Sequence, residues 1–173
     1  MIIERDIQSK IETDYIFLVG KVKIDSPYFM DTIEKNSGNS LTNVVGRMTL
    51  FSFFNNDINF IKTIFPILDK IDSYKNIPNY KLKDSWGLME GLGDRTILHD
   101  HIPNFLSGVI YLNDHDQELY FPDIKQSIKP EEGRFVIFSS FLKHEAKRNN
   151  SDKIKYAISF NFAYNYSFKK EIE

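Results

Sequence analysis

The sequence predicts an α+β fold that is mainly β: a double-stranded β-helix (a jelly roll, cupin-like) braced by N-terminal helices. Three observations predict it. From Trp86 onward, short apolar or alternating segments recur at close spacing, separated by turn formers such as Gly91-Leu92-Gly93-Asp94, Asn113-Asp114-His115-Asp116 and Asn149-Asn150-Ser151-Asp152. Several short strands with turn signals at this spacing indicate a sandwich or jelly roll. Helical periodicity is confined to the first half of the chain, and the composition (15 Phe, 9 Tyr) suits a packed β-rich interior. At 173 residues the expectation is one domain over 1–173, with a helix-containing support region at 1–80 and a jelly-roll core at 84–166.

The elements follow in order. Residues 15–24 are rich in β-branched and aromatic side chains and read as a strand. Ser26-Pro27 is an N-cap followed by proline at the first helical position; Phe29 and Ile33 share one face, and Gly38 is a stop. Residues 44–54 fit a strand or a buried helix, and periodicity does not separate the two. Asn56-Asp57 opens the clearest helix, with Ile58, Ile61, Ile64, Phe65, Leu68 and Ile71 as its apolar stripe. Pro66 predicts a kink or restart near Phe65. Strands are expected at about 84–90, 95–100, 105–113, 117–122, 133–139, 142–147 and 154–166.

Charge and composition exclude several classes of function. A net charge of -2 gives no global attraction to nucleic acid or to an anionic membrane. The absence of cysteine removes disulfides, zinc-thiolate sites and cysteine nucleophiles together, and suits a reducing cytosol. The first residues lack the apolar core of a signal peptide, and no apolar run approaches the ~20 residues of a membrane span. The expectation is a soluble, cytoplasmic protein. Gly91-x-Gly93 lacks the rest of a dinucleotide fingerprint and reads as a strand turn. His115, among Asn and Asp in a hairpin turn, is expected to be solvated, and Trp86 and Phe121 to be core or cavity wall.

All four histidines fall between His99 and Asn161, and three of them, His99, His101 and His144, are placed to meet. Residues two apart on a strand share a face, so His99 and His101 project the same way and Asp100 the other, unless the strand has ended. With His144 from a later strand they form a three-point attachment that leaves other coordination positions free. Imidazole suits iron, copper, nickel or zinc, and open positions are needed where substrate or oxygen binds the metal. The bland alternative is a pair of surface histidines in a loop. On 105–113, Ser107, Val109, Tyr111 and Asn113 alternate with Leu106, Ile110 and Leu112; on 154–162, Lys155, Ala157, Ser159 and Asn161 alternate with Tyr156, Ile158, Phe160 and Phe162. A barrel with a dry face under helices and a polar lumen has this pattern. Lys155 in that lumen requires an anionic partner; with the faces reversed, it is merely solvated.

This stretch resembles a family. His99-x-His101, Phe105-Leu106-Ser107-Gly108-Val109-Ile110-Tyr111-Leu112, Pro130-x-x-Gly133-Arg134-Phe135-Val136-Ile137-Phe138 running to His144, and Lys155-x-x-Ile158-Ser159-Phe160-Asn161 are similar to the small Fe(II)/2-oxoglutarate-dependent oxygenases. These are prolyl 4-hydroxylase-like proteins of bacteria and phages. The resemblance covers residues 84–165 and implies Fe(II) held by His99, His101 and His144, with 2-oxoglutarate and O2 as co-substrates. It further implies that Lys155, where relatives more often carry Arg, pairs with the far carboxylate of 2-oxoglutarate, with Tyr111, Ser159 and Asn161 completing the co-substrate site. Two positions depart from the family pattern: His101 stands where a carboxylate is usual, and Ala157 where serine is common.

The expected function is thus an Fe(II)- and 2-oxoglutarate-dependent dioxygenase, a hydroxylase acting on a small molecule or peptide. The alternatives are a non-catalytic jelly-roll binding or structural protein, and a three-histidine cupin-type dioxygenase that does not use 2-oxoglutarate.

Overall fold

The computed structural model describes residues 14–39 and 42–165. In chain order its elements are β1 (Phe17–Lys21), α1 (Ser26–Asn36), β2 (Gly38–Asn39), β3 (Val44–Val45), β4 (Arg47–Met48), α2 (Ile58–Asp72) and β5 (Tyr80–Glu90). There follow β6 (Arg95–His99), β7 (Leu106–Tyr111), β8 (Leu119–Phe121), β9 (Gln126–Ile128), β10 (Arg134–Ser139), β11 (His144–Ala146) and β12 (Lys155–Tyr164). The strands form two antiparallel sheets, one of seven strands in the order β1-β10-β7-β12-β5-β4-β2 and one of five in the order β3-β6-β11-β8-β9. This two-sheet arrangement with early helices is the double-stranded β-helix that the sequence predicts.

Strand alternation sorts the side chains into two apolar layers. On β12, Tyr156, Ile158, Phe160 and Phe162 join Leu106 and Ile110 of β7 and Ile137 of β10 in a cluster with Phe29, Ile33, Phe60, Ile64, Ile67 and Ile71 of the helices. The opposite parity (Val109, Tyr111, Val136, Phe138, Ala157) meets Leu119, Phe121 and Ala146 of the smaller sheet. Fully burying a side chain such as Phe160 or Ile158 contributes roughly 2 kcal/mol by area removed from water, so the helical layer holds the larger sheet in place. Gly108 lacks a side chain for a packing reason: a Cβ there would lie 2.6 Å from the Phe160 ring and 2.6 Å from Ile137 Cδ1.

Helix α2 begins where its cap directs. The Asp57 carboxylate accepts the N–H groups of Asn59 and Phe60, each at 2.9 Å, satisfying two otherwise orphaned donors. The buried stripe, however, is Phe60, Thr63, Ile64, Ile67 and Ile71, while Ile58, Ile61 and Phe65 of the expected stripe are exposed. Nor does Pro66 restart the helix, which is continuous from Ile58 to Asp72. Pro66 lies on the water-facing side, where the carbonyl it frees can bond solvent.

Three further expectations are resolved or corrected. Residues 44–54 are neither one strand nor a helix but two short strands and a turn. Strand β9 has no counterpart among the expected strands; paired with β8, it is the outermost strand of the smaller sheet. His115 is buried rather than solvated: its Nε2 lies 3.1 Å from the Lys153 carbonyl and its Nδ1 accepts the Gln117 N–H at 2.9 Å. An imidazole that donates at one nitrogen and accepts at the other can be buried at little cost.

Candidate metal centre

The smaller sheet carries His99 and His144. His99, at the end of β6, lies directly opposite His144 at the start of β11, while Ala146 lies opposite Thr96, so the register shifts by one residue. This is a β-bulge: three steps on β6 match two on β11. In a regular strand Thr96 and His99 would face opposite sides; the bulge lets both line the same cavity. The extra residue is absorbed at Ile97 and Leu98, which face solvent.

His101 reaches the cavity by another route. It lies beyond the end of β6, anchored by its N–H to the Ser140 carbonyl at 2.8 Å, so its shared direction with His99 comes from the loop rather than from strand alternation. The Asp100 carboxylate is turned into that loop and accepts the Ile102 N–H at 3.2 Å. Candidate ligand atoms of His99, His101 and His144 lie within 4.8 Å of one another. Their ring centroids are 4.4 to 5.0 Å apart.

Their surroundings set their protonation. His99 Nδ1 faces the Ile97 carbonyl at 2.7 Å and His144 Nδ1 the Leu142 carbonyl at 3.1 Å. Each Nδ1–H therefore donates to backbone, and the lone pair is left on Nε2. Burial, together with the neighbouring imidazoles, holds His144 and His101 down to about 3; burial also lowers His99. Aromatic walls enforce this dryness: Phe138 and Phe121 lie 4.8 and 5.5 Å from the His144 ring. Three neutral imidazoles held with free lone pairs are a ready-made donor set for a borderline divalent metal.

Across the cavity, the larger sheet contributes Trp86, Glu90, Tyr111, Lys155 and Ser159. Lys155 is buried in the lumen, not solvated, and its Nζ lies 2.5 Å from Glu90 Oε2. The two residues are direct cross-strand partners on β12 and β5. Glu90 Oε1 in turn accepts the Thr96 hydroxyl at 3.0 Å. Tyr111 is held well above the ordinary tyrosine range by burial, and secondarily by the Glu90 charge, so its hydroxyl is a permanent donor. Asn161 stands apart: its side-chain oxygen accepts the Ser107 hydroxyl at 2.7 Å inside the sheet. Glu90 escaped the sequence reading, although its spacing from Trp86 and Leu88 places it on their lumen-facing side.

The chain is similar to the viral collagen prolyl hydroxylase vCPH from Paramecium bursaria Chlorella virus-1, solved with 2-oxoglutarate. Identity is 18%, covering 86% of this chain and 94% of that one, with a TM-score of 0.65. The fold is that of the Fe(II)/2-oxoglutarate-dependent oxygenases. HygX from Streptomyces hygroscopicus, with nickel and 2-oxoglutarate bound, shares this oxygenase fold at 12% identity, covering 87% of this chain and 83% of that one, with a TM-score of 0.68. So does a prolyl hydroxylase from Trichoplax adhaerens in complex with a hypoxia-inducible factor peptide, at 18% identity, 85% and 83% coverage and a TM-score of 0.60. No family model and no curated protein sequence matches the chain.

The residues present fit a metal with a chelating co-substrate. The imidazoles supply the donor set, and Trp86 Nε1–H is a buried donor on the cavity wall with no partner among the described residues. Such a donor is satisfied by an acceptor entering the cavity. Among the described residues no helix is long and apolar enough to cross a membrane.

Proposed function

We propose that the chain is an Fe(II)- and 2-oxoglutarate-dependent dioxygenase, a hydroxylase of a small molecule or a peptide. The observation that carries this reading is the convergence of His99, His101 and His144 on a cavity whose opposite wall holds a buried lysine. The three imidazoles would hold the iron, and Lys155, Tyr111 and Ser159 would receive the co-substrate's far end. The bound iron and 2-oxoglutarate supply the oxidising chemistry, which side chains alone cannot. The chain's own residues orient both and exclude water: Phe121 and Phe138 dry the imidazoles, and Tyr111 and Trp86 offer neutral donors. Asn161 would act at one remove, fixing β12 against β7 through Ser107.

The test is an anaerobic titration of the purified protein with Fe(II), then 2-oxoglutarate, followed by visible absorption, with His144→Ala as control. A weak metal-to-ligand charge-transfer band that the variant lacks supports the reading. Absence of metal binding overturns it and leaves a non-catalytic jelly roll.

The Lys155–Glu90 pair favours one other reading, a three-histidine dioxygenase that does not use 2-oxoglutarate. There the lysine already has its anion and serves structure. Iron binding without the band is its expected result.

A further inference from the structure

We propose that Glu90 determines co-substrate selectivity, as an internal carboxylate that competes with the far carboxylate of 2-oxoglutarate for Lys155. The proposal rests on the site assigned above, a metal chelated by a 2-oxo acid facing Lys155, and narrows which 2-oxo acid that site takes.

Four observations carry the inference. Glu90 and Lys155 are direct cross-strand neighbours, so the pair is built into the register of β5 and β12 and does not depend on a surface rotamer. Both side chains are almost fully withdrawn from water, at 1% and 5% exposure. The second Glu90 oxygen is tied to the Thr96 hydroxyl, which sits on the histidine-bearing strand β6. Finally, Lys155 is the one Lys or Arg side chain among the described residues lining the cavity, so no second cation is at hand for another carboxylate.

The consequence is one of charge. The Lys155–Glu90 pair is already neutral, so a second carboxylate at that end of the cavity finds no unshared cation beside it; the charge of a divalent metal would sit at the other end, among the imidazoles, where the chelating 2-oxo carboxylate meets it. Tyr111 contributes a hydroxyl but no positive charge. A dicarboxylate can therefore take Lys155 only as Glu90 yields it, and the cost of that exchange is subtracted from its affinity. A 2-oxo acid with a neutral far end chelates the metal through the same 2-oxo carboxylate group and makes no such demand. Glu90 thus discriminates against the second carboxylate and allows a 2-oxo acid that ends in an amide or hydroxyl.

The experiment uses the full chain loaded with Ni(II), which binds without turnover. It is titrated with 2-oxoglutarate and with its 5-amide, and binding is read by calorimetry and by the fluorescence of Trp86, the single tryptophan. In the wild type, 2-oxoglutarate is expected to bind no tighter than the amide. In Glu90→Gln, which keeps an acceptor for Thr96, 2-oxoglutarate is expected to bind at least about tenfold tighter than in the wild type, with the amide's affinity unchanged. Wild-type preference for the diacid of about tenfold or more, or a Glu90→Gln variant with no gain for the diacid, overturns the proposal and leaves the 2-oxoglutarate reading standing. If neither acid binds either nickel-loaded protein, both fall. Should Glu90→Gln fail to fold, the wild-type comparison of diacid with amide decides alone.

Discussion

His99 and His144 face each other as register partners on adjacent antiparallel strands, with ring centroids 4.4 Å apart. Two metal-facing imidazoles are thus held by sheet hydrogen bonding, and the third by a loop. Replacing His144 with Ala is expected to weaken Ni(II) or Fe(II) binding by more than about 100-fold, since losing a ligand should exceed the 10–100-fold typical of its outer hydrogen-bond partners. Calorimetric titration measures this. Binding within about threefold of wild type would remove His144 from the centre.

Lys155→Met leaves the Glu90 carboxylate buried without its cation. Breaking a buried pair in this way is expected to destabilise the fold by about 3–5 kcal/mol, while the double change Lys155→Met with Glu90→Leu recovers most of that loss. Urea unfolding of both variants and of Glu90→Leu completes a double-mutant cycle. A single variant as stable as wild type would mean that the pair is not desolvated in solution.

Gly108→Ala inserts a methyl group between Phe160 and Ile137, where a Cβ has 2.6 Å of clearance from each. Both neighbours are packed between sheet and helices, so the expected cost is about 1–3 kcal/mol. Thermal unfolding reads it. Since Gly108 faces the helical layer, its effect should fall on stability rather than on metal affinity.

Tyr111, Tyr80 and Tyr156 all resist ionisation in the folded chain. Burial is the leading cause for each, aided by the charge of Glu90 for Tyr111 and by hydrogen bonds to Asp72 and Glu34 for Tyr80 and Tyr156. A phenol whose folded pKa is raised contributes stability that is fully present below its unfolded value of 10.0 and is lost as the pH climbs through the folded value. Unfolding midpoints should therefore be flat at mildly alkaline pH and fall above about pH 10. The Tyr111→Phe variant should show a shallower decline, and an unchanged slope would exclude this tyrosine as a source.

The sequence made the strands legible where one face was uniformly apolar. Tyr156, Ile158, Phe160 and Phe162 announced a dry side, and the register then placed Lys155 in the lumen. It was ambiguous where packing comes from elsewhere. The stripe of α2 was assigned through Ile58 and Phe65 because isoleucine and phenylalanine repeat on more than one face, and only contact with the sheet selects Phe60 and Ile67. The histidine trio was visible as residues, but not its construction: H-x-H suggested strand alternation, whereas a bulge aims His99 and a loop aims His101. His115 looked solvated because its neighbours are polar, and its burial depends on a carbonyl from a distant loop. Glu90 was visible in parity but carried no motif to draw attention to it.

His99 and His144 belong to one sheet and Lys155 to the other. The separation of these two walls is the thickness of the sandwich, about 10 Å for sheets packed face to face. The side chains wedged between the sheets, Val109, Leu119, Phe121 and Phe138, act as spacers of a measuring gauge. A methylene added to or taken from one of them would alter the length of molecule that can bridge metal and ammonium. The length of the co-substrate would then be set by the same apolar residues that wall the cavity.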